Sequence, residues 1–316
     1  MPEAESRKFE VLRVSVTSSC GFGCVYCAPG TEESEFSARP KTNAIFLSPE
    51  TFRKKLEVLS SHLKVKEVHL TGGEPTNHKG LSELVRIASE QGIPEIALTS
   101  NGFFADGLIQ ALKSSGLTRM NFSLDSLSPA GFSHMTGRNL SVSRLLSRIE
   151  EAADLGFPVK LNSTIVRGYN EDQILPLLKW AGVRKLPIRY LELMRMGPLV
   201  PEHSGLFVSS EEIRKRIQEE FLFEPIDTPL ESTARYYLTS NGFVFGLIAN
   251  HTEPFCEGCN RLRMDATGKI YGCLSDPQNY DLPEDEVGAV RALGLAMQSK
   301  KSRFIGSELS MKYIGG

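Results

Sequence analysis

The sequence predicts an α/β fold, a partial (β/α)6 barrel followed by a smaller C-terminal module. Three observations predict it: six short apolar runs alternate with helical periodicity, turn-forming motifs follow the first four of those runs, and all six cysteines fall into two triplets. The runs are Val11–Thr17, Glu67–Thr71, Glu95–Ser100, Arg119–Asp125, Val159–Val166 and Pro187–Met194, each rich in Val, Ile, Leu or Phe as strands are. After Ser48-Pro49, an N-cap with the favoured first-turn proline, Phe52, Leu56, Leu59 and Leu63 recur at helical spacing. Leu145, Leu146, Ile149, Ala152 and Ala153 repeat the pattern and stop before Gly156. Right-handed strand–helix–strand crossovers curl such a parallel sheet into a whole or partial barrel. The barrel is assigned to residues 1–225 and the module to residues 226–316.

In barrels of this kind chemistry sits at the C-terminal ends of the strands. Cys20 to Cys27 follow the first run, and Thr71-Gly72-Gly73-Glu74-Pro75 closes the second. Thr99-Ser100-Asn101-Gly102 closes the third and Ser123-Leu124-Asp125-Ser126 the fourth. Each Gly or Asn-Gly pair alone is ordinary turn chemistry; their shared position places them at one mouth.

With 316 residues the chain has room for about two domains. Its formal charge of -2 gives no field that would draw nucleic acid or an anionic membrane surface. The polar start, Met1 to Lys8, predicts no secretory signal. No run approaches the roughly 18 apolar residues of a membrane span, so a cytoplasmic protein is expected. Loose composition is confined to Pro29–Asn43 and the region around Pro198 to Ser204.

The cysteine triplets are Cys20, Cys24 and Cys27 (C-x3-C-x2-C) and Cys256, Cys259 and Cys273 (C-x2-C-x13-C). A four-iron, four-sulfur (4Fe-4S) cluster takes four thiolates, so three protein thiolates leave one iron open to a small molecule. A disulfide framework needs an oxidising compartment that nothing here indicates. Structural zinc is a poor match for the first triplet; for the second, taken alone, His251 could complete a tetrahedral site.

The segment Cys20-Gly21-Phe22-Gly23-Cys24-Val25-Tyr26-Cys27 resembles the signature of radical S-adenosylmethionine (SAM) enzymes, and Gly72-Gly73-Glu74 resembles their SAM-amine-binding strand end. The second triplet, in Phe255-Cys256-Glu257-Gly258-Cys259-Asn260-Arg261-Leu262-Arg263 and Cys273-Leu274, is similar to the C-terminal cluster of the GTP 3',8-cyclases of molybdenum cofactor biosynthesis. So are Thr136-Gly137-Arg138, Val159-Lys160-Leu161-Asn162, Arg167-Gly168-Tyr169-Asn170, Ile188-Arg189-Tyr190 and the terminal Gly315-Gly316.

The resemblance implies a TIM-like radical SAM barrel with a C-terminal iron–sulfur module covering its mouth. It implies two 4Fe-4S clusters, one on Cys20, Cys24 and Cys27 and one on Cys256, Cys259 and Cys273. SAM would lie against Tyr26, Gly73, Ser123 and Met194. One-electron cleavage of SAM would yield a radical that takes the 3' hydrogen of GTP, and the ribose radical would close on C8 of guanine. The second cluster would hold the purine, while Arg13, His69, Ser100, Lys160, Arg189, Arg261 and Arg263 bind substrate. No side chain is assigned a catalytic acid or base role; protein supplies binding, orientation and exclusion of side reactions. Partners implied are GTP, a flavodoxin- or ferredoxin-like electron donor, a downstream cyclic pyranopterin monophosphate synthase and a second copy in a homodimer. The alternative is another two-cluster radical SAM enzyme acting on a different nucleotide or a peptide.

Arg13, Lys160 and Arg189 are informative from the residues alone. Each interrupts an apolar strand, where a buried cation is expensive unless it meets an anion. Two departures from the family stand out. His69 occupies the place of an arginine two residues before the Thr-Gly-Gly-Glu-Pro motif, which puts the triphosphate contact in question. Ala28-Pro29-Gly30-Thr31-Glu32-Glu33 also differs from the usual start of its loop.

Overall fold

The computed structural model describes residues 7–27, 44–197 and 200–314. Residues 1–6, residues 28–43, Pro198-Leu199 and Gly315-Gly316 lie outside the described residues. The six expected strands are present: β1 (Val11–Ser15), β2 (Glu67–Thr71), β3 (Glu95–Ser100), β4 (Arg119–Ser123), β5 (Val159–Ile165) and β6 (Ile188–Glu192). Between them run α1 (Pro49–His62), α2 (Leu81–Glu90), α3 (Leu108–Ser114), α4 (Pro129–Thr136), α5 (Val142–Asp154) and α6 (Ile174–Val183). α1 begins where the sequence puts it: the Ser48 hydroxyl accepts from Thr51 N–H at 3.1 Å and Pro49 opens the first turn.

α7 (His203–Leu206) and α8 (Ser210–Gln218) lead into five short strands and two helices. The strands are β7 (Phe223–Ile226), β8 (Arg235–Thr239), β9 (Val244–Ile248), β10 (Arg261–Met264) and β11 (Ile270–Tyr271), followed by α9 (Glu286–Gln298) and α10 (Met311–Ile314). All strands join one 11-stranded sheet, ordered β11-β10-β1-β2-β3-β4-β5-β6-β9-β8-β7. β1 to β6 pair in parallel, with β10 parallel to β1 and β9 parallel to β6. The C-terminal region therefore does more than cover a mouth: its strands extend the barrel sheet on both edges, satisfying backbone groups that an open edge would leave bare.

Strand alternation divides the barrel into two chemistries. Leu12, Val14, Val68, Leu70, Ile96, Leu98, Phe122, Leu161 and Ile188 join Phe52, Leu56, Leu59 and Leu84 of the helices in one apolar core. Each such side chain, fully buried, contributes roughly 1.5–3 kcal/mol. That outer layer stabilises a barrel whose intervening positions are polar: Arg13, His69, Thr99, Asn162 and Arg189 line the interior.

The first cysteine turn is held by backbone against backbone. Gly73 N–H donates to Thr17 O at 2.7 Å and Glu74 N–H to Ser19 O at 2.7 Å. A Cβ on Gly72 would stand 2.4 Å from Thr17 O, and one on Gly73 2.4 Å from Ser19 O. Both glycines are thus required by close approach of the strand-end turn to the segment leading into Cys20. Gly73→Ala is expected to lose about 1–3 kcal/mol of stability and to take up less iron in reconstitution. A variant that melts with its parent and loads equally would contradict this role.

Candidate active site

At the C-terminal ends of the strands lies a cavity of about 320 Å³. Its lining includes Cys20, Cys24, Cys27, Cys256, Cys259 and Cys273, so residues far apart in sequence meet at one mouth. Tyr26, Gly73, Ser123 and Met194 line it, as do Arg13, His69, Ser100, Arg189, Arg261 and Arg263. Lys160 does not line the cavity; its ammonium lies 5.6 Å over the Tyr236 ring.

No disulfide joins any of the six cysteines. Among the described residues no three His, Cys, Asp or Glu side chains gather as a single metal ion requires. His251 accepts from Arg195 N–H at 3.3 Å and packs edge-on against Phe207 and Phe304, so it is turned to other partners than a zinc shared with the second triplet. A multi-iron cluster spreads its thiolates over several metals, and this is the group that the donor set fits. The two triplets differ in surroundings. Burial, with Cys20 and Asp125 nearby, holds the Cys24 thiol well above its usual range. Burial would raise Cys259 too, but Lys300 and Arg261 bring it down to about 7.

Three carboxylates lace the strand ends together, and their role was not read from the sequence. Glu74 accepts from Ser100 Oγ (2.8 Å), Thr76 Oγ1 (2.6 Å) and Asn101 N–H (2.8 Å), tying β2 to β3. Asp125 accepts from the Tyr26 hydroxyl (2.9 Å) and Thr164 N–H (2.9 Å), tying the cysteine turn and β4 to β5. Glu192 accepts from Ser210 N–H and His251 N–H, each at 2.9 Å, tying β6 to α8 and the segment after β9. Burial raises Asp125 to about 6 despite its two donors. Glu74 and Asp125 sit inside the strand-end motifs, which was the available signal; Glu192 had none. Ser100, expected at the substrate, here donates to Glu74 and accepts from Gly102 N–H.

The cations crowd one another. Arg13 is pushed down first by burial, then by Arg263 and Arg261. Arg263 falls to about 10 through burial, with Cys259 opposing and Arg261 adding to the shift. Its Nη1 donates to Ile314 O at 3.2 Å. Arg261 donates to Glu231 O at 2.7 Å and lies 3.7 Å from Cys259 Sγ. Arg189 is 9% exposed, and its Nε has no hydrogen-bond partner among the described residues. Glu67 opposes these shifts at Arg13 and Arg189 without reversing them, and like charges gathered in this way favour an anion.

His69 supplies none of that charge. Burial, then Arg13, lowers it to about 3, so it is neutral at ordinary pH. Its Nδ1 stands 3.3 Å from Arg13 Nη1 and 3.3 Å from Glu67 Oε1; its Nε2 stands 2.8 Å from Thr99 Oγ1 and 3.1 Å from Asn121 Nδ2. The ring is a hydrogen-bonding post beneath Arg13.

Residues 14–181 match the Radical SAM superfamily, and residues 186–303 match Molybdenum Cofactor Synthesis C. The chain is similar to the GTP 3',8-cyclase of Aquifex aeolicus (strain VF5), 37% identical over 278 residues that cover 88% of this chain and 85% of that protein. It is 34% identical to the GTP 3',8-cyclase of Alkaliphilus metalliredigens (strain QYMF), covering 100% of both. Among solved structures it resembles Streptococcus suis SuiB bound to precursor peptide SuiA, with a TM-score of 0.66 over 94% of this chain and 67% of that one. At 14% identity that likeness is one of fold alone.

His69 gives a pH test. Unfolded, it titrates near 6.5; folded, it stays neutral down to about 3. Below about pH 6.5 the unfolded chain binds more protons, so this contribution is complete above that pH and is lost as pH falls. His69→Gln, which does not titrate, is expected to flatten the fall in urea midpoint between about pH 6.5 and pH 4. Parallel profiles for the two proteins would contradict the neutral, buried histidine.

Proposed function

From the premise that the chain belongs to the GTP 3',8-cyclase family of radical SAM enzymes, we propose that it cyclises GTP to (8S)-3',8-cyclo-7,8-dihydroguanosine 5'-triphosphate, the first step of molybdopterin biosynthesis. The observation that carries this reading is the meeting of both cysteine triplets and a crowded set of arginines in one cavity. A 4Fe-4S cluster on Cys20, Cys24 and Cys27 goes with the radical SAM family; the second, on Cys256, Cys259 and Cys273, is part of the proposal. Bound there, the first cluster with SAM would supply one-electron radical chemistry, and the second, held by three thiolates, would leave a place for the purine.

The protein's own groups do the positioning. Tyr26, fixed by its hydrogen bond to Asp125, stands beside the first triplet; with Gly73, Ser123 and Met194 it forms the proposed SAM wall. Arg13, Arg189, Arg261 and Arg263 are proposed to take the triphosphate, whose charge relieves their mutual repulsion, with guanidinium forks matched to phosphate oxygens. His69 orients Arg13 rather than touching phosphate as a cation, and Lys160, whose ammonium lies over Tyr236, is left out of the proposed contacts. The β-strands behind them and the C-terminal segment around Met311 bound the cavity, which limits water and stray hydrogen donors.

The same reading divides the chain near residue 225 into barrel and cluster-bearing module. It names a flavodoxin- or ferredoxin-like donor, hand-over to a cyclic pyranopterin monophosphate synthase, assembly as a homodimer and a cytoplasmic setting. Among the described residues no helix is long and apolar enough to cross a membrane.

Anaerobic turnover of reconstituted protein with SAM, reductant and GTP deuterated at the ribose 3' position tests the reaction. Deuterium is expected in 5'-deoxyadenosine together with a cyclised GTP isomer. Unlabelled 5'-deoxyadenosine with intact GTP would leave radical SAM chemistry and remove GTP as substrate. Arg189→Met is expected to weaken GTP binding by roughly 10- to 100-fold, the worth of a charged hydrogen bond, while SAM affinity stays unchanged. Equal loss for both ligands in calorimetry would contradict the phosphate role.

A further inference from the structure

Lys300, two residues past α9, has no part in the SAM and substrate contacts proposed above. It is half-buried, with its ammonium 5.0 Å above the Phe9 ring. Nζ donates to Arg261 O at 3.0 Å and lies 3.3 Å from Cys259 Sγ. Among the described residues no carboxylate forms an ion pair with it. A lysine ordinarily keeps its head in water while its stem covers apolar surface; here the head is aimed inward at a thiol.

The packing that places it is tight. A Cβ on Gly272, the residue before Cys273, would collide with Ala296 O and stand 2.5 Å from Ser299 Oγ. Only glycine lets the end of α9 press against the segment after β11 that carries Cys273, and that contact delivers Lys300 to Cys259. The first triplet has the opposite neighbour: the Asp125 carboxylate, hydrogen-bonded to Tyr26 between Cys24 and Cys27.

We propose that Lys300 is a built-in counter-charge to the Cys259 thiolate that raises the reduction potential of the cluster held by the second triplet. This rests on the two-cluster reading above. A cation beside a ligating sulfur favours the more negative, reduced cluster, and hydrogen bonds to ligand sulfurs are among the levers that set such potentials. The second cluster then accepts an electron more readily than it would without Lys300, while carboxylate surroundings act in the other direction at the first.

The test isolates the second cluster in the full chain with Cys20, Cys24 and Cys27 all replaced by alanine. Lys300→Met and Lys300→Arg are added separately, and iron content and EPR-monitored midpoint potential are measured. The expected result is equal iron in all three proteins, a more negative midpoint in Lys300→Met and a midpoint near the parent's in Lys300→Arg. An unchanged midpoint in Lys300→Met at full iron content would falsify the assignment. Loss of iron from both replacements would mark Lys300 as a packing residue and overturn it equally. Absence of iron from the parent of the series would remove the second cluster itself, and the inference with it.

Discussion

Mutual repulsion among Arg13, Arg189, Arg261 and Arg263 is the constraint around which the interior is arranged. Burial pushes Arg13, Arg189 and Arg263 below their ordinary range, and neighbouring cations add to it. Charges are not buried in this way unless something holds them there. The holding is done by the outer layer: Leu12, Val14, Val68, Leu70 and their helix partners give a continuous apolar core that is indifferent to what the inner positions carry. The interior is thereby left free to be a binding site.

The neighbours of the arginines follow from that constraint. Glu67 pairs with Arg119 at 2.6 Å at the foot of the barrel, and His69 meets Arg13 as a neutral ring, adding no further positive charge. The acidic side chains at the mouth, Glu74, Asp125 and Glu192, each accept from backbone donors of neighbouring segments. They spend their hydrogen-bonding capacity on fixing the mouth. Sulfur ligands and guanidinium groups share one cavity, and they come nearest at Cys259, which Arg261 and Lys300 both approach.

Much of this was legible in the chain. Strands β2 and β3 match their expected bounds, because an apolar run ending in a turn motif defines both face and stop. β4 and β6 end earlier than expected, at Ser123 and Glu192; the residues beyond bend away to hold Asp125 and Met194 at the cavity. The C-terminal strands were not read. β7 is mostly exposed and β11 has two residues, and β10 pairs with β1 across most of the chain length, a relation that local periodicity does not carry. The cysteine and arginine positions were readable as types, and so was an uncharged His69 at neutral pH; how far its titration is pushed down was not, because that depends on burial and on Arg13 beside it in space. Lys160 was expected among the substrate contacts from its place in an apolar strand, yet its long stem carries the charge to Tyr236. Lys300 lies in no motif, and only the packing of α9 on Gly272 brings it to sulfur.

The central claim is that one cavity brings a guanine nucleotide to the second triplet while its phosphates meet the arginines. The direct measurement is pulsed EPR of the reduced second cluster, in the chain with the first triplet replaced, using GTP carrying either nitrogen-14 or nitrogen-15 in the base. A nitrogen coupling to the cluster that changes with the label, and that weakens when Arg189 is replaced, is the predicted result. A cluster signal indifferent to saturating GTP of either label would contradict the shared cavity as the place where this chain holds its substrate.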